Sequence, residues 1–253
     1  MNIQRTILLL IDNAGLDIFS IDHLRENLEI SSGQIYNAIN KLERNGMITK
    51  LEKGKYCRHN FRDENVIGSF LVKEGGIAYW TAMHYHGLTE QIPNVVYVQT
   101  TQAKKNKTIF GIRYFFVKVK EEKLTGFITK GYGNHSFQIT DIEKTIVDCF
   151  NMPQYGGGYN EIIKAFNGAK LSARKMVKYC KAIGNIAVTK RLGFLCELLE
   201  KPNMEYFIRY AQSVRNEKYS LFEAGGEAIG KTDSRWHLVL NMETDEIVEI
   251  AKS

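Results

Sequence analysis

The stretch from Phe19 to Ile35, FSIDHLRENLEISSGQI, carries two helix start signals in close succession. Ser20 is placed to cap a first helix at its N-terminus. Ser31 is placed to cap a second helix, and Gln34 three residues later completes a capping box. Two short helices joined by a tight turn pack their inner faces together and present the outer face of the second. The stretch therefore predicts a helix-turn-helix.

The segments on either side extend this motif. Apolar residues at helical spacing predict another helix over residues 2–13, and a buried stripe from Ile35 to Leu42 continues the helix that Ser31 caps. After Asn45 and Gly46, which can end a helix, residues 47–58 predict a strand, a turn and a second strand. Three helices and a two-stranded wing predict a winged helix-turn-helix domain over residues 1–62.

The third helix and the wing carry the polar and basic residues of this domain. Seven basic and two acidic residues lie between positions 41 and 62, a local excess of +5 in a chain of formal net charge +6. Asparagine and glutamine recognise adenine edges, serine and tyrosine hold phosphates, and lysine and arginine can do either. The predicted contacts to double-stranded DNA are Ser32, Gln34, Tyr36, Asn37, Lys41, Arg44, Lys50, Lys53, Lys55 and Arg58. The alternative is a winged helix that binds another protein through this face.

Residues 63–76 are polar and contain glycine, which predicts a connector. Residues 77–253 then place segments rich in β-branched and aromatic residues before helical patterns. The predicted strands cover 95–100, 109–119, 124–128, 136–140 and 235–241, and the predicted helices cover 77–88, 141–150, 158–167, 172–183, 187–200 and 203–216. Strands grouped before helices predict an α+β fold, in which a mixed domain with a β-sheet ends in a C-terminal helical block.

One segment of this second domain has the spacing of a catalytic motif. Asp141, Glu143 and Lys144 form the acid-x-acid-Lys pattern of metal-dependent nucleases, in which two carboxylates hold Mg²⁺. The same segment also suits a helix start, because Thr140 and Glu143 form a capping box and Asp141 favours the helix dipole. Since no upstream carboxylate completes the nuclease motif, we expect no catalytic site, no metal and no cofactor. A metal-dependent nuclease centred on Asp141 and Glu143 is the alternative.

Cysteine spacing, apolar run lengths and the first residues of the chain predict the cellular compartment. Cys57, Cys149, Cys180 and Cys196 are widely spaced, which favours buried, reduced thiols over a disulfide framework or a zinc site. No apolar run approaches the roughly 20 residues that cross a bilayer, and the first residues lack the pattern of a secretion signal. We therefore expect a cytoplasmic protein with no membrane partner.

Several blocks of the second domain have no chemical explanation but follow one another in a recognisable order. They are Tyr79–Pro93 (YWTAMHYHGLTEQIP), Asp141–Cys149 (DIEKTIVDC) with Pro153 and Gly156–Gly158, Arg191–Leu195 (RLGFL), and Trp236–Asn241. Together with the winged helix, these blocks resemble the AbiEi family. The members of that family are antitoxins and transcriptional regulators of type IV toxin–antitoxin and abortive-infection systems.

The resemblance implies a division of labour between two domains. The winged helix would bind inverted repeats in its own promoter and repress transcription. The domain over residues 77–253 would counter a nucleotidyltransferase-type toxin, without necessarily forming a stable complex with it. The matching blocks contain no established catalytic residue, so the resemblance implies a non-enzymatic protein. Regulators of this architecture also occur without a toxin, which leaves an orphan regulator as a further alternative.

Overall fold

The computed structural model describes residues 2–253. Residues 2–62, which we call the N-terminal unit, hold three helices and three short strands. They are α1 (Ile3–Asn13), β1 (Ile18–Ser20), α2 (Ile21–Asn27), α3 (Ser32–Arg44), β2 (Ile48–Glu52) and β3 (Lys55–Arg58). The Ser20 side chain accepts from the His23 amide, and both halves of the Ser31–Gln34 capping box form. The two predicted helix starts are therefore confirmed.

The sheet of the N-terminal unit has one strand more than the sequence predicts. β1 pairs with β3, which pairs with β2, and both pairings are antiparallel. Alternation along β1 and β3 buries both faces of this sheet. Phe19 and Tyr56 pack on the three helices, whereas Ile18 and Cys57 pack on the rest of the chain. β1 is only three residues long and is buried on both faces, so it lacks the alternation of apolar and polar residues by which a strand is predicted from sequence.

Residues 63–253, the second unit, begin with a six-stranded sheet and two helices. These elements are α4 (Glu64–Phe70), β4 (Gly76–Ile77), α5 (Tyr79–Tyr85), β5 (Val95–Thr100), β6 (Lys107–Ile109), β7 (Ile112–Lys118), β8 (Phe127–Lys130) and β9 (Phe137–Thr140). The strand order is β6-β7-β5-β4-β9-β8. β5 is parallel to β7 and β4 is parallel to β9, whereas the other neighbours are antiparallel, so the sheet is mixed.

The predicted connector over residues 63–76 is instead an ordered part of this second unit. Asp63 caps α4, and α4 packs across β4, β5 and β9 through Val66 and Ile67. Gly76 lies in the middle of the sheet, where a Cβ atom would come within 2.2 Å of the Gln138 carbonyl oxygen. The polar residues of this segment form caps and turns, and its glycine permits close packing. Because linkers are also rich in polar residues and glycine, composition alone predicts a linker here.

The remaining elements form the helical block that the sequence predicts, with additions at its end. They are α6 (Ile142–Asn151), α7 (Tyr159–Gly168), α8 (Ala173–Ile183), α9 (Ile186–Leu198), α10 (Glu205–Val214), β10 (Ser220–Leu221), β11 (Lys231–Asp233), β12 (Leu238–Leu240) and α11 (Thr244–Lys252). The predicted strand over 235–241 shortens to β12, the centre of a small three-stranded sheet. The four cysteines are buried and unbonded. The protein is an α+β protein, as predicted.

Each of the two tryptophans in the chain packs against a glycine. A Cβ atom on Gly157 would lie 2.8 Å from the Trp80 ring, and one on Gly193 would lie 2.4 Å from the Trp236 ring. The glycines therefore leave room for the indoles. These contacts join the sequence blocks around residues 80, 157, 193 and 236, which gives the blocks a packing role.

The two units share one of three buried hydrophobic clusters, and each unit has a further cluster of its own. Ile18, Leu51 and Cys57 of the N-terminal sheet belong to the same buried cluster as Tyr114 and Phe137 of the second unit. The Asn134 side chain also pairs with the edge of β1. Its Oδ1 accepts from the Asp17 and Ile18 amides at 2.7 and 2.9 Å, and its Nδ2 donates to the Ile18 carbonyl at 2.8 Å. One side chain thus satisfies backbone groups that an edge strand leaves open.

None of the helices within residues 2–253 has the length and apolar character needed to cross a membrane.

Candidate nucleic-acid interface

Helix α3 divides into a buried face and an exposed face. Ile35, Ala38, Ile39 and Leu42 are buried against α1, α2 and the sheet. The predicted contact residues of this helix are all exposed, and we call them the α3 face: Ser32, Gln34, Tyr36, Asn37, Lys41 and Arg44. The N-terminus of α1 lies beside this face, and a shallow groove of about 350 Å³ separates Asn2 and Gln4 from Asn37 and Lys41.

The sequence predicts adenine recognition by both Gln34 and Asn37, but the structure shows that their side-chain amides differ in availability. Gln34 Oε1 accepts from the Ser31 hydroxyl at 2.8 Å and from the Ser31 amide at 3.3 Å, as part of the capping box. An adenine edge requires one acceptor and one donor from the same amide. To make that contact, Gln34 would have to break its hydrogen bonds with Ser31. The side chain of Asn37 has no hydrogen-bond partner within residues 2–253, so both ends of its amide remain available.

A contact from α2 places Tyr36 at one side of this face. The guanidinium of Arg25 lies 5.4 Å from the centre of the Tyr36 ring, in a cation–π arrangement. Arg25 also donates to Asp22 at 2.9 Å. Because the ring is restrained at its face, its hydroxyl has a defined position for a phosphate contact.

The four basic residues of the β2–β3 hairpin fall into two pairs. Lys50 and Lys53 are exposed and form no ion pair in the described part of the chain. Lys55 donates to the Phe70 carbonyl at 2.7 Å and lies 3.2 Å from Glu52. Burial lowers the pKa of Lys55, and the hydrogen bond that Lys55 donates to Glu52 only partly offsets this effect.

Arg58 is the other basic residue of the hairpin that makes internal contacts. Its guanidinium lies 2.6 Å from Asp12 and 3.0 Å from Asp17, and it donates to the Leu16 carbonyl at 3.1 Å. Lys55 and Arg58 are therefore engaged within the protein. Lys55 and Arg58 remain predicted contacts, but their charges already hold the hairpin to α1 and to the second unit.

Two lysines of the same hairpin should respond differently to substitution. Lys53→Ala removes an unpaired charge, and we expect the dependence of log affinity for duplex DNA on log salt to fall by about 0.9 for one lost phosphate contact. Lys55→Ala removes an internal hydrogen bond to a charged group, and we expect it to cost about 1–2 kcal/mol of stability with a much smaller change of slope. Anisotropy titrations and thermal melts measure both effects. Equal slopes for the two variants would contradict this division.

The residues of the alternative nuclease motif are engaged in structural contacts. Asp141 caps α6 through the Lys144 amide at 2.9 Å and accepts from the Tyr179 hydroxyl at 2.7 Å. Glu143 accepts from the Ser172 amide at 2.9 Å, and Lys175 lies between the two carboxylates. Across residues 2–253, no group of three His, Cys, Asp or Glu side chains is placed to hold a metal ion. The segment does begin a helix, but the predicted Thr140–Glu143 capping box is wrong. Asp141 is the N-cap residue of α6, and the Glu143 carboxylate binds Ser172 and Lys175 instead.

No model of a known protein family matches the chain, and no curated protein matches it in sequence. Among solved structures, the chain is similar to the crystal structure of the RV2827C protein from Mycobacterium tuberculosis. The TM-score is 0.65 at 11% sequence identity, over 98% of this chain and 94% of that chain. At this identity the similarity concerns the fold, and both units take part in it because nearly the whole of each chain is covered.

Proposed function

We propose that the N-terminal unit is a winged helix-turn-helix and that the protein is a DNA-binding transcriptional repressor. In this proposal α3 is the recognition helix and the β2–β3 hairpin is the wing. The observation that carries the proposal is the α3 face. It presents Asn37, Lys41 and Arg44 to solvent, without ion pairs or hydrogen bonds to any other described side chain.

The charges around this face support DNA over a protein partner. Of the seven basic residues between positions 41 and 62, three make internal contacts: Lys55, Arg58 and Arg62, whose guanidinium donates to backbone carbonyls and lies over the Phe110 ring. The other four are Lys41, Arg44, Lys50 and Lys53. These unpaired charges lie on the helix and hairpin that contact DNA in winged helices, where they suit a phosphate backbone.

Sequence recognition by Asn37 can be tested directly. Asn37→Ala should cost about 1–3 kcal/mol in binding to the promoter of the protein's own gene, and much less on a scrambled duplex, because a bidentate base contact is lost. Lys41→Ala serves as the matched control on the same face, since a phosphate contact weakens binding to both duplexes alike. Mobility-shift titrations of both variants on both duplexes give the comparison. Equal losses for Asn37→Ala on the two duplexes would assign Asn37 to positioning.

The same titrations test the proposal as a whole. If the unmodified protein binds neither duplex at low salt, DNA binding is wrong and the α3 face becomes a surface for a protein partner. Binding to the promoter alone would favour repression at a defined operator. Binding to both with equal strength would contradict a specific repressor.

We further propose that the second unit acts as the antitoxin of a nucleotidyltransferase-type toxin, in the cytoplasm and without enzymatic activity. The support is the resemblance to the AbiEi family, whose sequence blocks fall in this unit. The glycine–tryptophan contacts at Gly157 and Gly193 give those blocks a role in building the helical core. Growth of cells that express the neighbouring toxin gene, with and without this protein, tests the proposal. An unaltered toxicity, or the absence of such a gene, would favour the orphan regulator.

A further inference from the structure

A loop of the second unit lies against the β2–β3 hairpin and carries three lysines. We call residues Gln102–Lys107, which follow β5 and end with the first residue of β6, the lysine loop. Lys104 Nζ lies 2.6 Å from Glu52 and donates to the Leu71 carbonyl at 2.8 Å. Lys107 Nζ lies 3.2 Å from Glu52 and donates to the Leu51 carbonyl at 3.1 Å. Two of the three lysines therefore attach the loop to the end of β2.

The charge at this junction is not balanced. Three ammonium groups, those of Lys55, Lys104 and Lys107, surround the single carboxylate of Glu52. Burial raises the pKa of Glu52, but the hydrogen bonds from Lys104 and Lys55 outweigh it and the pKa is lowered. Repulsion from Lys104 and Lys107 adds to the burial that lowers the pKa of Lys55. The junction thus retains a positive field after its internal ion pairs are formed.

Two exposed lysines lie beside this junction, one on each element. Lys53 is in the hairpin turn, next to Glu52, and Lys105 lies between the two attached lysines of the loop. The side chain of neither lysine forms a hydrogen bond or an ion pair with another residue from 2 to 253. Because the neighbouring lysines fix the backbone on both sides of Lys105, the loop loses little further conformational freedom when its free ammonium binds an anion.

We propose that the lysine loop is a second phosphate-binding element, which extends the DNA interface from the hairpin onto the second unit through Lys105. This inference rests on the proposed function, since it takes duplex DNA as the occupant. Charge complementarity favours that occupant, because a duplex carries one negative charge per about 1.7 Å of its axis. A duplex is also stiff over about 150 base pairs, so it continues in the direction set by the recognition helix and hairpin.

The test uses the full-length protein and a random-sequence duplex of about three helical turns, or about 30 base pairs. We expect Lys105→Ala to lower the slope of log affinity against log salt by about 0.9, and Lys105→Glu to lower it further by repulsion. Lys252→Ala is the matched control, since Lys252 is an exposed lysine on α11, which packs on α7. It should leave the slope unchanged. Circular dichroism checks that all three variants keep the fold.

The outcomes separate this inference from the proposed function. If Lys53→Ala lowers the slope but Lys105→Ala and Lys105→Glu do not, the lysine loop is wrong and the winged-helix interface stands. If Lys252→Ala lowers the slope as much as Lys105→Ala, the effect is one of net charge and the inference is again wrong. If the unmodified protein does not bind the duplex, both proposals fail together.

Discussion

Asp148→Ala should destabilise the protein by about 3–5 kcal/mol, because it leaves a buried lysine without its counterion. Lys144 is completely buried, and its Nζ lies 2.5 Å from Asp148 Oδ2. Gln99 Nε2 donates to the same carboxylate oxygen at 3.1 Å and to the Tyr79 hydroxyl at 2.9 Å. The pair therefore lies in a network at the junction of the sheet and helix α6, where water cannot replace a lost partner.

Replacing both charges should cost much less than replacing one. Burial raises the pKa of Asp148, and the nearby Lys144 and Gln99 only partly offset this effect. A raised pKa for an acid means that its ionised form is less favoured in the fold than in the unfolded chain. The part of the stability that is linked to protonation of Asp148 is therefore greatest at acid pH and is lost as the pH rises through its folded pKa, whereas removal of the side chain still leaves Lys144 without a partner. The double variant Lys144→Met/Asp148→Leu should be close to neutral.

Urea or thermal unfolding of Lys144→Met, Asp148→Leu and the double variant completes a double-mutant cycle. Large losses for the two single variants with recovery in the double variant would support an ion pair that gives specificity more than stability. If the double variant were as unstable as the single ones, the packing around Lys144 and Asp148 would contribute more to stability than their charges do. Asn151→Ala, at the end of the same helix and only half-buried, is the control, and loss of the hydrogen bond from Asn185 at 3.0 Å should cost about 1 kcal/mol.

The parts of the fold that the sequence predicts correctly are those set by local interactions. Ser20 and Ser31 cap their helices through amides three residues away, and the helices α6 to α10 follow their apolar periodicity. The sequence does not reveal β1 and β4, because they are two or three residues long and owe their strand geometry to distant partners. β4 lies between β5 and β9, so nothing near Gly76 and Ile77 in sequence defines it.

In the candidate site, too, the sequence predicts what local periodicity determines but not which side chains are engaged in tertiary contacts. The sequence identifies the α3 face, because helical periodicity separates buried from exposed positions. It assigns equal weight to Lys53 and Lys55, although only Lys55 lies within reach of the Phe70 carbonyl. It also omits Lys105, since the contact of the lysine loop with Glu52 joins residues about fifty positions apart in the chain. Which charges stay free depends on tertiary contacts that periodicity does not encode.

The shared core predicts that the two units cannot be separated by simple truncation. Deletion of residues 1–62 removes Ile18, Leu51, Cys57 and Phe61 from the cluster that also holds Phe137. The deletion exposes the partners of these side chains, and exposure of each large apolar side chain costs about 1.5–3 kcal/mol. A few such exposures are a large part of the roughly 5–15 kcal/mol by which a domain is stable. We expect the truncated chain to melt without a cooperative transition, or to aggregate. A cooperative melt near that of the full chain would show that the second unit folds alone.

The repressor and antitoxin activities should instead be separable by substitutions on the α3 face. Asn37→Ala/Lys41→Ala/Arg44→Ala changes three exposed side chains that form no ion pair or hydrogen bond within residues 2–253, so the melting temperature should stay within about 2 °C of the original. Loss of one base contact and two phosphate contacts should weaken promoter binding by roughly a hundredfold or more. The matched control is Lys118→Ala/Lys120→Ala/Lys178→Ala, which alters three exposed positions of the second unit.

A promoter reporter and a toxin co-expression growth assay measure the two activities in the same cells. If the triple α3 variant folds normally and represses poorly but still protects, the second unit carries the antitoxin activity. If it loses protection as well, protection depends on DNA binding, and the proposed division of labour is wrong.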